Sequence, residues 1–431
     1  MSTLKWTQCS TFDNVPIITD LKYSDQLIDA IQQGSADMDL YMIYEYYNNI
    51  NPKEPFFALR LANAYAQLQF HTGSLRILEK LDYKRFNDPN IENWITQLNS
   101  IIDKQKQKND IDYNSSPLKA PSLIPLERYI TRQPHDLDSL KVICFDTAND
   151  NNADKIKEAY ARILSIETNE IEDVFYLSAH SKWVMTRCGF FMNAIEHKDY
   201  GEVVTKDKIL NILKGTQEAL DYLIEYIANL RTSGSFCITA ELIIEIHTRL
   251  MQSNPILEYT VNGVTKRKLV RTRSWRNEVV CVRRYDGNVY LFHHPNVIDN
   301  SIQEFVRNAN IYIEKMRWRK LDPFTVSAWI HHTLINIHPF IDGNGRMTRF
   351  ISSIPLIIMG YMPLYIGLAN KKDYIDAIVK ADTENSIVDL AQVFAKNIYM
   401  GLEMVRMNFL PKETDKAFMT DDEPGKTIRN Q

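Results

Sequence analysis

The segment His338-Pro339-Phe340-Ile341-Asp342-Gly343-Asn344-Gly345-Arg346-Met347-Thr348-Arg349 constrains this chain more than any other stretch. It lies between two runs of helical pattern. Upstream, Asp322-Pro323 reads as an N-cap and a first helical residue. Val326, Trp329, Ile330, Leu334 and Ile337 then recur at helical spacing. This predicts a helix that runs into His338 and stops near Pro339. An apolar-rich run from Arg346 onward predicts a second helix starting at about Asn344 or Gly345. Between the two, Gly343 and Gly345 permit backbone angles that residues with a Cβ resist. Their N–H groups can face an anion, and the N-terminus of the second helix adds a favourable partial charge. Arg346 and Arg349, three apart, leave one face of its first turn. Two cations there oppose the helix dipole unless a polyphosphate sits beside them. Asp342 is a hard oxygen ligand suited to Mg²⁺, and His338 can take a proton from a hydroxyl near neutral pH. A plain exposed turn between core helices accounts for any one of these residues. It does not require both glycines and both arginines at once.

The arrangement HPFxDGNGRxxR resembles the signature of the Fic family. The resemblance covers about residues 170–400 and is sharpest over 322–350. It implies an all-α core with a small β-hairpin, the flap. It also implies a protein adenylyltransferase, which moves AMP from Mg·ATP to a Ser, Thr or Tyr hydroxyl of a target protein. Carried over by position, His338 is the expected general base and Asp342 the expected Mg²⁺ ligand. Gly343, Asn344 and Gly345 form the anion cradle, with Asn344 on the α-phosphate. Arg346 and Arg349 hold the β- and γ-phosphates. Gly345 stands where the kinase-like branch of the family has Lys, which argues against that branch. Asn370-Lys371-Lys372-Asp373-Tyr374 resembles the helix start beside the adenine, so Asn370 and Tyr374 are expected near the base. A helix N-cap and a core tyrosine are the alternative reading of those two.

Val279–Val282 and Val289–Phe292 are short β-type runs around Asp286-Gly287, a hairpin signal. In the family the flap pairs with an extended segment of the target. Val279, Val280, Val282, Val289 and Tyr290 are therefore the expected target-binding residues. Ser274-Trp275-Arg276 resembles the small-x-aromatic-Arg element ahead of the flap. Many Fic proteins also carry an inhibitory segment, Ser/Thr-x-x-x-Glu-Gly/Asn, whose glutamate pairs with the second signature arginine. Met192-Asn193-Ala194-Ile195-Glu196-His197 is similar, with Met192 and His197 departing from the pattern. Glu196 is thus expected on Arg349 as a charge-assisted pair, and Glu196→Gly is expected to activate. A glutamate on a solvated helix end is the alternative. Two other functions compete with transfer: removal of AMP from a modified protein, and a non-catalytic, nucleotide-regulated adaptor.

At 431 residues the chain has room for two or three domains. Residues 1–105 read as helical, with Leu61, Ala62, Tyr65, Ser74 and Leu78 loosely following a tetratricopeptide repeat. One degenerate repeat and a plain helical hairpin both fit. Residues 106–134, polar and then Pro-rich, read as a linker. The catalytic unit with leading helices occupies 135–410, and 411–431 is a charged tail short of aromatics, expected to be disordered. The net charge of −4 gives no global signal for nucleic acid. One basic stretch runs through Lys266, Arg267, Lys268, Arg271, Arg273, Arg276, Arg283 and Arg284. It reads either as steering for ATP or target or as a solvated face. Five cysteines without CxxC spacing suit reduced thiols. The N-terminal segment has no secretory pattern. Phe350–Asn370 lacks charge but is interrupted by Pro and Gly, so it reads as a buried helix plus loop, not a membrane span. A cytoplasmic place of action is expected, an injected effector having the same sequence character. ATP and a protein with an exposed hydroxyl are the expected partners, and a homodimer is consistent with the resemblance.

Overall fold

The computed structural model describes residues 16, 20 and 22–406, apart from 34, 53, 82–88, 117, 132–152, 199–200, 234–236, 262 and 285–286. The tail from 411 and the whole of the leading segment 135–152 lie outside the described residues. The chain divides into two compact units. One comprises Met1–Ser115 with Pro255–Val270, and the other Ser116–Asn254 with Arg271–Gln431.

The first unit has four short helices, α1 (Ser24–Gln32), α2 (Tyr41–Ile50), α3 (Pro55–Gln67) and α4 (His71–Lys80), and one long one, α5 (Pro89–Ser115), among its described residues. Tyr44, Tyr47, Phe56 and Phe57 fill its core with stacked and edge-on rings. Helix α5 continues past residue 105, so the sequence boundary there falls inside a helix. This unit also takes in a hairpin that the sequence reading passed over, β1 (Ile256–Val261) with β2 (Val264–Leu269). Its signal was Asn262-Gly263 between two β-type runs, and Gly263 has the positive φ, +75°, that such a turn needs. The hairpin is held to α3 by Leu269 N–H on the Leu68 carbonyl and by Gln69 Nε2 on the Arg267 carbonyl. The basic stretch is thereby divided. Lys266, Arg267 and Lys268 lie on β2, where Arg267 pairs with Glu258 and Asp39, each at 2.8 Å.

Among its described residues the second unit is helical apart from one hairpin. Its helices are α6 (Ala153–Glu170), α7 (Ala179–Cys188), α8 (Lys206–Ser233), α9 (Ala240–Met251), α10 (Ile298–Arg317), α11 (Pro323–Ile337), α12 (Asn344–Ile358), α13 (Lys371–Glu384) and α14 (Val388–Met404). The hairpin pairs β3 (Cys281–Arg283) with β4 (Val289–Leu291). Helix α11 is buried on nearly every side and forms the centre, packed by α10, α12 and α14. Trp329 is fully buried in it, between the rings of Phe305 and Tyr312. Asp322 caps α11, accepting from the Thr325 N–H at 2.7 Å, and Pro323 occupies the first turn. Helix α12 and the loop after it, the uncharged stretch, are buried in this core. No helix among the described residues is long and apolar enough to cross a membrane.

Much of the expected linker is docked, not loose. Ala120 N–H reaches the Leu291 carbonyl and Leu291 N–H the Leu118 carbonyl, so residues 118–120 cover the outer edge of β4. His293 Nε2 donates to the Pro121 carbonyl, Trp329 Nε1 to that of Ile124, and Ile130 N–H to that of Asn385. With β4 covered, β3 is the hairpin's open edge among the described residues.

Candidate active site

The turn of the sequence signature joins α11 to α12. His338 ends α11 in the left-handed region, φ 51° and ψ 61°. That conformation costs a residue with a Cβ about 1–2 kcal/mol, so the surroundings must hold it. The His338 ring lies flat on Phe292, centroids 3.7 Å apart. Its Nδ1 lies 3.2 Å from the Ile335 carbonyl. A carbonyl only accepts, so Nδ1 carries the proton and the Nε2 lone pair is left available. Burial first, and the Arg276 guanidinium second, push the imidazole's pKa down to about 3. The ring is therefore neutral at physiological pH. It is half-buried and sits on the wall of a cavity of about 420 Å³.

The rest of the turn is shaped by short contacts. Asn344 Oδ1 accepts from Phe340 N–H and its Nδ2 donates to the Phe340 carbonyl, both at 2.9 Å. Its buried amide thereby closes the loop 340–344. His247 on α9, which the sequence reading did not single out, stacks on Phe340 at 3.5 Å and donates Nε2–H to the Asp342 carbonyl. Burial holds its pKa down at about 3. Gly343 has φ +78°, which favours glycine. Asp342 is part-exposed, with a carboxylate oxygen 3.5 Å from Arg346.

Both arginines are held by the end of α6. Arg349 is 1% exposed. Its Nη1 donates to Glu172 Oε1 at 2.6 Å, its Nε to Thr168 Oγ1 at 2.9 Å and its Nη2 to the Thr168 carbonyl at 2.8 Å. Arg346 Nη1 donates to Asn169 Oδ1 at 3.1 Å. Glu172 comes so close to the start of α12 that a Cβ on Gly345 would lie 2.1 Å from its Oε1. The carboxylate on Arg349 is thus Glu172, and the expectation for Glu196 is corrected. Glu196 accepts from Ser178 Oγ at 2.9 Å instead, beside the N-terminus of α7. Thr168-Asn169-Glu170-Ile171-Glu172-Asp173 has the Ser/Thr-x-x-x-Glu spacing in plain sight. Asp173 occupies the position of the pattern's Gly/Asn with φ +59°. Residues that tolerate the left-handed region, Asp among them, are the ones that fit there.

Tyr374 lines the same cavity, its hydroxyl 2.7 Å from His331 Nε2 and 3.5 Å from Arg349 Nη1. Asn370 does not line it; its Nδ2 donates to Asn397 Oδ1 at 2.9 Å. Of the flap residues, Val282 and Val289 are 44% and 38% exposed, and Val279 and Val280 are part-buried. Tyr290 is buried, its hydroxyl donating to Asn336 Oδ1 at 2.7 Å, so its place as a target-binding residue is corrected. It anchors the hairpin to α11. Arg284 pairs with Asp382 on α13, which also accepts from His332 and Asn336.

The Fic/DOC family profile matches residues 237–356. A Fido domain-containing protein of Dictyostelium discoideum is 36% identical over 93 residues, 21% of this chain and 62% of that protein. A Protein adenylyltransferase Fic of Nematostella vectensis is 26% identical over 163 residues, 38% of this chain and 33% of that protein. The chain thus spans less than two thirds of these relatives' length. A solved Fic domain-containing signalling protein of Bacteroides thetaiotaomicron aligns with 63% of this chain and 92% of its own, at 16% identity and a TM-score of 0.44. Residues 237–356, which hold the hairpin, the imidazole and the two-arginine turn, are thus similar to the Fic/DOC family.

Proposed function

We propose that the protein transfers AMP from Mg·ATP to a hydroxyl of another protein, and that Glu172 restrains it. The observation that carries this is the pairing of chemistries around one cavity. A neutral imidazole with a free Nε2 stands on its wall, and two buried guanidiniums stand at the start of the helix that follows. Nε2 takes the proton of the attacking hydroxyl. Arg346, Arg349 and the N–H groups at the start of α12 hold and neutralise the phosphates, and positioning and charge supply most of the rate. The attack is in line on the α-phosphorus, and pyrophosphate leaves. Tyr374 and the apolar side chains Ile375, Ile378 and Val379 offer the base a surface.

The residues present fit Mg²⁺. Asp342 is a part-exposed carboxylate beside Arg346, and no cluster of three or more metal-ligating side chains exists among the described residues. An ion taking one protein carboxylate and the rest of its oxygens from phosphate and water suits that setting. When bound there, it would neutralise charge on the phosphates. The target strand has β3 as its open edge, with Val282 exposed on that strand.

The test uses ATP labelled at the α-phosphate, with Mg²⁺, alone and with lysate. Label should pass to protein with wild type and not with His338→Ala. Label absent from both would sink transfer. A second reading, removal of AMP, gains from Glu172, a carboxylate in the same cavity as His338. Faster loss of label from pre-modified protein would favour it.

A further inference from the structure

Arg276 is 2% exposed, and its donors converge on main-chain carbonyls from three segments. Nε donates to the His338 carbonyl at 2.6 Å and Nη2 to that of Ile337 at 3.4 Å. Nη1 donates to the Glu278 carbonyl and Nη2 to that of His293. Its own N–H donates to the Pro339 carbonyl at 2.8 Å. Ile337 and His338 close α11, where helix carbonyls lack partners within the helix and the dipole is negative. Glu278 lies just before β3 and His293 just after β4. One planar fork, whose donors have fixed directions, therefore touches the end of the helix that carries the imidazole and both roots of the hairpin.

We infer that Arg276 is a positioning residue for the transfer proposed above, setting the hairpin's open edge in register with the His338 ring. The inference rests on that functional reading, but the geometry behind it does not. The same contacts hold His338 in its left-handed conformation, because the carbonyl that Nε binds is that of His338 itself. Phe292, which stacks on the ring, lies between β4 and the His293 carbonyl, so the stacking face is set by the same fork.

Arg276 also acts on the ring by charge, since its cation opposes protonation there after burial has already done so. The other charged groups around the cavity are Arg283 and Arg284 from the hairpin, Glu172 and Asp173 after α6, and Lys371 and Asp382 from α13. Tyr290 and Tyr374 complete its titratable lining. A variant that keeps the cation and loses the fork is thereby separable from one that loses both.

The experiment compares Arg276→Lys and Arg276→Gln in the full chain. Three quantities are followed: labelled-AMP transfer from pH 5 to 9, KM for ATP, and the His338 ring titration by NMR on histidine-labelled protein. Both variants should lose about 100-fold in kcat, the scale of a 1 Å misplacement, with KM for ATP within about threefold of wild type because the Arg276 side chain bonds the end of α11 and the hairpin roots, not Gly343 to Arg349. Only Arg276→Gln should raise the His338 midpoint, by about one pH unit or more. Wild-type kcat in both variants, or an unmoved midpoint in Arg276→Gln, overturns the inference. Should Arg276→Gln not fold, Arg276→Lys decides by its rate alone. A wild-type chain that transfers no label refutes the functional reading, and the ring titration then tests Arg276 independently.

Discussion

Replacing Glu172 by Ala should turn a restrained protein into an active one. The pair it breaks is Arg349 Nη1 to Glu172 Oε1 at 2.6 Å, between an arginine that is 1% exposed and a carboxylate side chain that is 34% exposed. Two unit charges about 4 Å apart attract by about 4 kcal/mol at an effective dielectric of 20. Water around the half-exposed carboxylate reduces that to the ~1.5–3 kcal/mol typical of a hydrogen bond to a charged group. At ~1.4 kcal/mol per tenfold, ATP must overcome a handicap of roughly 10- to 150-fold before its terminal phosphate can claim Arg349. Glu172→Ala should remove it. Affinity for ATP, measured calorimetrically with His338→Ala to prevent turnover, should rise by that factor. Affinity for AMP, which has no terminal phosphate to place there, should change by less than about threefold. Auto-labelling in the His338-intact chain should rise in step with ATP affinity. Glu196→Ala is the internal control, because Glu196 binds Ser178 and not Arg349. The reasoning is refuted if Glu172→Ala leaves ATP affinity unchanged, or if Glu196→Ala gives the larger gain.

Three further outcomes follow from the same contacts. Asp382→Ala should lower stability by about 3–5 kcal/mol, seen as a fall in denaturant midpoint, since it leaves Arg284 and the His332–Asn336 pair without their buried carboxylate. Asn344→Ala should cost about 1–3 kcal/mol by orphaning the Phe340 N–H and carbonyl, and should abolish transfer even where the chain remains folded. Acid should destabilise the protein through its histidines. His338 and His247 are held down to about 3 by burial, His331 lies well below its ordinary value, and His293 is lowered. Below about pH 6.5 the unfolded chain binds protons at these rings that the folded chain refuses. Stability is therefore full above that pH and falls toward pH 3, by up to about 1.4 kcal/mol per pH unit for each ring. A thermal midpoint that is flat from pH 7 to 4.5 would contradict this.

What the sequence made legible is what depends on local pattern. The helices flanking the turn were readable because Asp322-Pro323 is a local start signal and α11 repeats apolar residues over its whole length. The turn itself was readable because its residue types are chemically conspicuous. Contacts between distant segments were not readable, and they decide several side-chain roles. Asn344 reads as a phosphate ligand from its place in the signature, and only the fold shows that its amide also closes the turn. Tyr290 looked like part of a docking strand, yet pleating turns it inward to Asn336. The Pro-rich stretch looked like a tether, yet its carbonyls answer donors on α11 and after β4. The β1–β2 hairpin was legible and passed over, since Asn262-Gly263 is a turn signal in its own right.

The displaced glutamate shows where pattern matching fails and physics would have served. Two of the segments with a glutamate at the required spacing are instructive to compare. One, around Glu196, matched in its inner residues; the other, Thr168 to Asp173, sits in a run of acidic residues that reads as a solvated helix end. The pattern's hydroxyl residue is what separates them. Arg349 has several donors, and a carboxylate takes only some of them, so a neighbouring hydroxyl and carbonyl must accept the rest. Thr168 supplies both, at 2.9 and 2.8 Å, whereas Met192 at the equivalent place near Glu196 has no hydroxyl to offer. The last position of the pattern marks a left-handed residue that lets the chain leave the helix, a demand Asp173 meets at φ +59°. Asking which segment can satisfy a buried guanidinium favours Glu172 over Glu196. It also predicts that Thr168→Val should release part of the same restraint: ATP affinity should rise by less than with Glu172→Ala, and an unchanged or lower affinity would remove the hydroxyl from the account.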